Sequence, residues 1–462
     1  MRFSTSELAE ATGGDVFGRP AEVDGVAIDS RLVEPGQLFV PLVAERDGHD
    51  FIGAAIAAGA RVYLTSGPIE AATAILVEDT AAALTDLGAH ARDRLSGAVV
   101  GVTGSVGKTS LKDLLAAVGA TTWRTSASRG SFNNELGVPL TLANAPDDTE
   151  LAVVEMGARG RGHVALLCDV ARPTVGVVTV VAGAHLEQFG SLDEVAVAKS
   201  ELVAALPAEG FAVLNADDHR VAAMAGVTPA TVVTFGVAGG EVRAEDVVLD
   251  ADLRARFALR SPWGDAEVHL GVAGAHQVVN ALGAAAAALA LGAEPEAVAA
   301  GLGDGRLSAM RMDLQTRTDG LRVLDDTYNA NPTSMVAALG ALAALDLGGN
   351  GRRGGARLHE RARGRCRGGP PRRGHRGGRA GDRGGGRGRA PVRHRRRHAR
   401  GRRRRRRPLG GRAGAGRGRR RAGEGEPVSS PGAAGDPAGR RLRPGGGRRR
   451  RPAPPPPGRR TR

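Results

Sequence analysis

The chain has 462 residues, a length typical of about three domains, and its formal net charge of +15 is unevenly distributed. Residues 348–462 contain 40 arginines and five acidic residues, a net charge of +35, whereas residues 1–347 carry a net charge of −20. Two cysteines exclude a disulfide framework, and no apolar run is long enough for a signal peptide or a membrane span, so we expect a soluble cytoplasmic protein.

The first 93 residues have the pattern of a small α/β unit. Ser4 and Glu7 form a capping-box pattern that predicts the start of a short helix. The remaining predicted elements are strands at 25–28, 37–40 and 62–65 and a helix at 54–58. Taken alone, this part of the chain predicts no function.

Residues 98–115 run from an apolar, β-branched strand through a glycine loop into a helix, a pattern typical of a phosphate-binding loop. Glycines allow backbone N–H groups to approach phosphate oxygens, Lys108 supplies positive charge, and the Thr109 hydroxyl can bind Mg²⁺. The spacing is shorter than the common G-x-x-x-x-G-K-[ST], and the alternative is an ordinary glycine turn. The predicted nucleotide-binding residues here are Gly104, Ser105, Val106, Gly107, Lys108, Thr109 and Ser110.

Strands and helices alternate from about residue 97 to 310, which predicts a parallel sheet covered on both faces. Three apolar runs, at 151–154, 175–178 and 211–214, each lead into polar residues. Because ligands collect at the carboxyl ends of parallel strands, we expect Glu155 and His185 to lie near Lys108. The alternative is a capping acid and a surface histidine.

Lys199 occupies an inward position of the helix predicted over 191–206, in line with an apolar stripe. Lysine is rare here, with three against 61 arginines, so the chemistry of a primary amine is a candidate reason for its presence. A buried ammonium is costly unless it is paired or chemically altered. The alternative is a side chain that extends to solvent.

Two further polar groups lie near the end of the alternating region. His276 and Asn280 are one helical turn apart and could frame a flat base, although helix capping explains them equally well. A strand near 323–326 leads through Asp326 into a polar turn and then a helix near 333–345. This resembles the beginning of a third domain.

The expected third domain does not continue. Residues 348–462 contain five large aliphatic residues and no aromatic residue, a composition that predicts disorder. We hypothesise a frameshifted reading of a GC-rich gene, which a translation of the other frames would test. The alternative is non-specific nucleic-acid binding through arginine, although aromatic residues for base stacking are absent from the segment.

Residues 1–347 resemble the Mur ligase family. The motifs that carry the resemblance are DSR at 29–31, PGQLFV at 35–40, TGSVGKTS at 103–110, SFNNELGVP at 131–139, EMG at 155–157, AHL at 184–186, AK at 198–199, NADD at 215–218 and DDTYNAN at 325–331. The NNELGVP and YNANP segments favour the branch that adds D-alanyl-D-alanine to UDP-N-acetylmuramoyl-tripeptide.

The resemblance implies an ATP-dependent peptide ligase of peptidoglycan precursor synthesis that acts through an acyl phosphate. It implies two Mg²⁺ ions, with Lys199 carbamylated into an anionic ligand. The implied catalytic residues are Lys108, Glu155, His185 and Lys199, and the implied metal ligands are Thr109, Glu155, His185 and Lys199. The implied nucleotide contacts outside the loop are His276, Asn280, Arg311 and Asp326, and the implied UDP-sugar contacts are Ser30, Arg31, Asn133 and Asn134.

From this resemblance we expect an α/β protein with four segments: a UDP-sugar-binding domain at 1–93, an ATP-binding domain at 94–314, the start of a ligase domain at 315–347 and a disordered tail at 348–462. We also expect a monomer. Because the third domain should help to bind the dipeptide, a non-catalytic protein that binds nucleotide or UDP-sugar remains an alternative.

Overall fold

Short β-branched runs near the N-terminus build a five-stranded sheet with helices packed against it. The elements are β1 Arg2–Ser4, α1 Thr5–Thr12, β2 Asp15–Phe17, β3 Glu22–Asp24, β4 Val26–Ala27, β5 Leu38–Phe39, α2 Ile52–Ala57, β6 Val62–Thr65, β7 Thr73–Leu76 and α3 Thr80–Arg94. The sheet order is β2-β7-β6-β5-β4, and β1 pairs with β3. The Ser4 side chain accepts a hydrogen bond from the Glu7 backbone and caps α1, as predicted.

The computed structural model describes residues 1–69, 72–183, 189–318 and 320–345. All of these residues belong to one compact unit, Met1–Arg373. His185 and the predicted disordered tail lie outside the described residues. None of the helices in the described part of the chain combines the length and apolar character needed to cross a membrane.

A nine-stranded sheet forms the centre of the protein. The elements are β8 Ala98–Thr103, α4 Lys108–Gly119, β9 Thr125–Ala127, α5 Gly137–Ala143, β10 Leu151–Glu155, α6 His163–Ala171, β11 Val175–Val178, α7 Leu192–Ala204, β12 Phe211–Asn215, α8 His219–Ala222, β13 Thr231–Gly236, β14 Val242–Leu249, β15 Arg254–Arg260, β16 Ala266–Ala273, α9 Gln277–Ala290 and α10 Pro295–Asp304. The strand order is β16-β15-β14-β13-β12-β11-β8-β10-β9.

Seven neighbouring strands of this sheet, β8 to β14, are parallel, and β15 and β16 are antiparallel additions at one edge. The predicted parallel α/β fold is therefore confirmed. Because the parallel strands point the same way, the residues that follow β8, β10 and β11 meet at one edge of the sheet.

The small side chains of α9 let it pack closely against α4. A Cβ atom at Gly283 would lie 2.6 Å from Leu111 Cδ1, and one at Gly301 of α10 would lie 2.5 Å from the Val118 backbone. Leu111, Leu114 and Val118 of α4 are fully buried in this contact region. The position of α4, and therefore of the loop that precedes it, depends on this packing.

A short antiparallel pair and one helix follow the central sheet. They are β17 Asp313–Thr316, β18 Arg322–Asp325 and α11 Pro332–Ala344. Asn331 and Ser334 form a capping box at the start of α11. Val336 and Leu339 of this helix are 72% and 52% exposed, so its apolar side is largely uncovered by the described residues.

Candidate active site

The loop between β8 and α4 depends on two glycines. Gly104 has φ +146°, and a Cβ atom there would lie 1.8 Å from Thr179 Oγ1. Gly107 has φ +87°, and a Cβ atom there would lie 2.4 Å from Asn280 Oδ1. Larger residues would therefore strain the backbone and collide with neighbours. Lys108 Nζ donates to Gly104 O at 3.0 Å, so its ammonium folds back over the loop.

Glu155 is the centre of a buried hydrogen-bond network beside this loop. The Thr109 hydroxyl donates to Glu155 Oε2 at 2.7 Å, and Asn133 Nδ2 donates to Oε1 at 2.7 Å. The Glu155 backbone N–H donates to Ser128 Oγ at 3.1 Å. Arg311 Nη2 donates to Thr109 Oγ1 at 2.9 Å. A carboxylate and a hydroxyl thus lie side by side, and oxygen donors are the ligands that Mg²⁺ prefers.

Two lysines near the network are shifted toward their neutral form. Burial, with a smaller effect of the positive Lys108, lowers the pKa of Lys199 to about 7, and the nearby Glu201 carboxylate opposes this shift. Burial also lowers the pKa of Lys108, where Glu155 acts in the opposite direction. Lys199 is only 4% exposed, so it does not reach solvent as the alternative interpretation required.

These groups line one cavity of about 800 Å³. Its lining includes the loop 104–109, Glu155, Lys199 and Arg311, together with other residues. The remaining polar lining residues are Ser131, Asn133, Asn134, Glu135, Arg159, His163, Asp326, Tyr328, Asn329, Asn331 and Ser334. The structure therefore brings Lys108, Glu155 and Lys199 together at the predicted sheet edge. We call this space the first cavity.

The other predicted nucleotide contacts are divided between the cavity and its surroundings. Asp326 lines the first cavity and accepts the Met312 N–H at 3.2 Å, and burial raises the pKa of its carboxyl group. His276 and Asn280 line neither cavity: Asn280 lies against Gly107 of the loop and its Nδ2 donates to Gln277 Oε1 at 2.8 Å, whereas His276 lies against Gly274. Ser110 is buried within α4.

A second cavity of about 1110 Å³ adjoins the N-terminal sheet. Ser30 and Arg31 line it, as do Phe39, Arg46 and Phe51. The predicted partners of Ser30 and Arg31, at positions 133 and 134, line the first cavity instead. The four predicted UDP-sugar contacts therefore lie in two different cavities.

Different residues of the segment 126–134 line the two cavities, and we call this segment the shared wall. Ser126, Arg129 and Phe132 of the shared wall line the second cavity, and Ser131 and Asn133 line the first. The wall begins within β9, so its position is set by the central sheet. A ligand in either cavity would contact the same short segment.

Sequence reasoning missed a stacked pair that closes the first cavity. The Arg311 guanidinium lies 4.1 Å from the centre of the Tyr328 ring, and the Tyr328 hydroxyl is hydrogen-bonded to Ser131 Oγ. Arg311 Nε is buried without a hydrogen-bond partner among the described residues. Tyr328 belongs to the DDTYNAN motif and Arg311 is an implied nucleotide contact, but nothing in the sequence indicated that their side chains stack.

Two family models and a large set of relatives match this chain. Residues 22–92 match the family described as "Mur ligase family, catalytic domain", and residues 102–288 match "Mur ligase middle domain". A UDP-N-acetylmuramoyl-tripeptide–D-alanyl-D-alanine ligase from Mycobacterium tuberculosis strain H37Rv is 44% identical over an alignment of 377 residues that covers 74% of this chain and 74% of that one. The chain belongs to the Mur ligase family. The relatives favour the branch known as MurF, as the sequence motifs predicted.

Solved structures of MurF ligases have the same fold. MurF from Acinetobacter baumannii is 33% identical with a TM-score of 0.68, over 74% of this chain and 77% of that one. MurF ligase from Thermotoga maritima, solved in complex with ADP, is 28% identical with a TM-score of 0.61, over 70% of this chain and 75% of that one. The predicted resemblance to the Mur ligases is therefore confirmed.

Proposed function

We propose that this chain is an ATP-dependent ligase that joins D-alanyl-D-alanine to UDP-N-acetylmuramoyl-tripeptide in peptidoglycan precursor synthesis. The observation that carries the proposal is the convergence of Lys108, Glu155 and Lys199 in one cavity beside a glycine loop. The names of the MurF relatives support the substrates. The ADP in the Thermotoga maritima structure supports ATP as the nucleotide.

The reaction explains why Lys108 and Arg311 both line the first cavity. A carboxylate oxygen of the tripeptide attacks the γ-phosphorus and ADP leaves, which forms an acyl phosphate. The dipeptide amine then attacks the acyl carbon, loses a proton, and inorganic phosphate leaves. Two anions must meet in the first step, so the Lys108 ammonium and the Arg311 guanidinium would offset their repulsion.

The oxygen donors present fit a magnesium ion. Thr109 Oγ1 and Glu155 Oε2 lie 2.7 Å apart at the start of α4, and they would hold one ion. Bound magnesium would supply charge neutralisation for the phosphates. Within residues 1–69, 72–183, 189–318 and 320–345, no group of three or more His, Cys, Asp or Glu side chains is arranged to hold a metal. The phosphates would complete the coordination of this ion, and a carbamylated Lys199 together with His185 would serve the second.

The neutral form of Lys199 supports carbamylation. A carbamate forms when an unprotonated amine attacks carbon dioxide, and a pKa of about 7 leaves much of this amine unprotonated at neutral pH. The carbamate would be an anion in place of a cation at the cavity wall. His185 lies outside the described residues, and we keep it as a proposed ligand on the strength of the AHL motif alone.

The second cavity suits the UDP-sugar. Ser30 and Arg31 would contact it there, and Asn133 and Asn134 would contact the peptide end of the same substrate at the shared wall. This division supports the proposed domain limits, with UDP-sugar binding in 1–93 and ATP binding in 94–314. Because ATP and a UDP-linked precursor are compounds of the cell interior, we propose that the protein acts in the cytoplasm, and the monomer stays a prediction.

A phosphate-release assay tests the proposal. The full chain is incubated with ATP, Mg²⁺, UDP-N-acetylmuramoyl-tripeptide and D-alanyl-D-alanine, and phosphate and the pentapeptide product are measured. Omission of the dipeptide is the first control, and the Lys108→Met variant is the second. Both should abolish product. If the chain binds ADP but forms no product, a non-catalytic nucleotide-binding protein becomes the better description.

A further inference from the structure

The chain has three lysines, and the proposed function uses only two of them. The third, Lys112, lies on α4 and is 3% exposed. Its Nζ donates to Ser128 O at 2.7 Å and lies 2.6 Å from Asp113 Oδ1. Lys112 and Asp113 line neither cavity. The Asp113 side chain is 11% exposed, so both charges are largely removed from water, and such a pair outside both cavities calls for a physical explanation.

On one side, Lys112 is connected to the shared wall. Ser128 belongs to that wall, and its carbonyl oxygen accepts a hydrogen bond from the Lys112 ammonium. The hydroxyl of the same serine accepts the Glu155 N–H at 3.1 Å. Lys112 therefore connects α4 to the segment that bounds both cavities, at the residue that also supports Glu155.

On the other side, Asp113 is connected to the segment that carries Arg311. Asp113 Oδ2 accepts the Ser308 N–H at 2.7 Å. Ser308 lies three positions before Arg311, which donates to Thr109 at the start of the same helix. Asp113 therefore connects α4 to residues 308–311, which we call the Arg311 segment.

The contacts also explain why a lysine stands here in an arginine-rich chain. An ammonium is compact and has three donors, and two of them are satisfied by Ser128 O and Asp113 Oδ1 at short distances. A guanidinium has five donors in a rigid fork and would leave several of them buried without acceptors.

From these contacts we infer that Lys112 and Asp113 form a positioning pair. The pair holds the shared wall and the Arg311 segment in fixed positions relative to the phosphate-binding loop. The inference rests on the proposed function for the identity of the ligands. It assigns no contact with substrate to either residue. Its consequence is that one buried pair supports the binding of ligands in both cavities.

The test uses variants without a lone buried charge. Lys112→Met with Asp113→Leu removes both charges, and such a replacement usually preserves folding. Binding of ADP and of UDP-N-acetylmuramoyl-tripeptide to the full chain is measured by calorimetry. We expect both affinities to fall about tenfold, the loss of roughly one charge-assisted hydrogen bond. Lys112→Met with Asp113→Asn keeps an acceptor for Ser308 and should recover ADP affinity but not tripeptide affinity.

Arg94→Met is the matched control. Arg94 forms ion pairs with Glu7 and Asp147 and lines neither cavity, so its loss should lower the melting temperature and leave both affinities unchanged. Unchanged affinities in the Lys112→Met and Asp113→Leu double variant would overturn the inference and leave the proposed function standing. A wild-type chain that binds neither ligand would overturn both.

Discussion

Replacing Lys199 by methionine should stabilise the protein in a strongly pH-dependent way. Burial lowers the pKa of Lys199 from 10.5 to about 7 in the folded chain, whereas the unfolded chain keeps the ordinary value. Below pH 7 both states carry the proton, and the folded state bears the full cost of the buried ammonium. Between pH 7 and 10.5 the unfolded state binds more protons, so the wild-type free energy of unfolding rises with pH.

The size of the effect follows from the two pKa values. Each unit of difference between the two pKa values corresponds to about 1.4 kcal/mol, so burying the Lys199 ammonium costs about 5 kcal/mol at pH 6. Methionine has a similar length and no charge. We therefore expect the free energy of unfolding of the variant to exceed that of the wild type by up to about 5 kcal/mol at pH 6. The difference should shrink steadily toward pH 9.

Urea denaturation in carbonate-free buffer measures this difference. Trp123 and Trp263 both lie in the central part of the chain, so their fluorescence reports on the region that contains Lys199. Arg256→Met, at an exposed position of β15, is the control and should reproduce the wild-type pH dependence. If the stability curves of the Lys199→Met variant and the wild type run parallel from pH 6 to 9, the folded amine is not desolvated and the reasoning is wrong.

Three further predictions address the same site. Labelling with ¹³C bicarbonate at pH 8 should produce a carbamate signal in the NMR spectrum that disappears in Lys199→Arg and persists in the Lys112→Met and Asp113→Leu double variant; a signal that survives the Lys199 substitution would place the carbamate elsewhere. Thr109→Val removes the hydroxyl between Glu155 and Arg311, so Mn²⁺ binding with ADP, followed by electron paramagnetic resonance, should weaken about tenfold or more; unchanged binding would contradict the proposed ligand. Gly104→Ala places a methyl group against Thr179 and should abolish ADP binding in calorimetry, whereas Gly13→Ala, which also has positive φ but open space around it, should cost about 1 kcal/mol in stability and keep ADP binding.

The elements with clear periodicity were predictable from the sequence. The strand at 62–65 is found at the predicted limits, and β10 extends the predicted run 151–154 by the single residue Glu155. The burial of Lys199 followed from the helical spacing of its apolar neighbours. The two-residue strands β4 and β5 are shorter than their apolar runs because few backbone pairs form there.

The contacts between distant segments were not predictable. Arg311 stacks on Tyr328, and Asn133 reaches Glu155, only because separate elements meet at the same sheet edge. No local pattern encodes such pairs. The hydrogen bond from Lys112 to Ser128 was also not predictable, because a lysine on a helix usually faces water. The roles of His185 and of the arginine-rich segment lie outside the described residues and stay predictions.

The segment common to both cavities has a practical consequence for inhibition. A small molecule that binds beside Phe132 in the second cavity would displace the backbone that also positions Asn133 to donate to Glu155. A substitution that relieves this displacement would shift the neighbouring catalytic groups as well. Resistance substitutions in this segment should therefore lower the activity of the enzyme. The shared wall is for this reason an attractive target for antibacterial design.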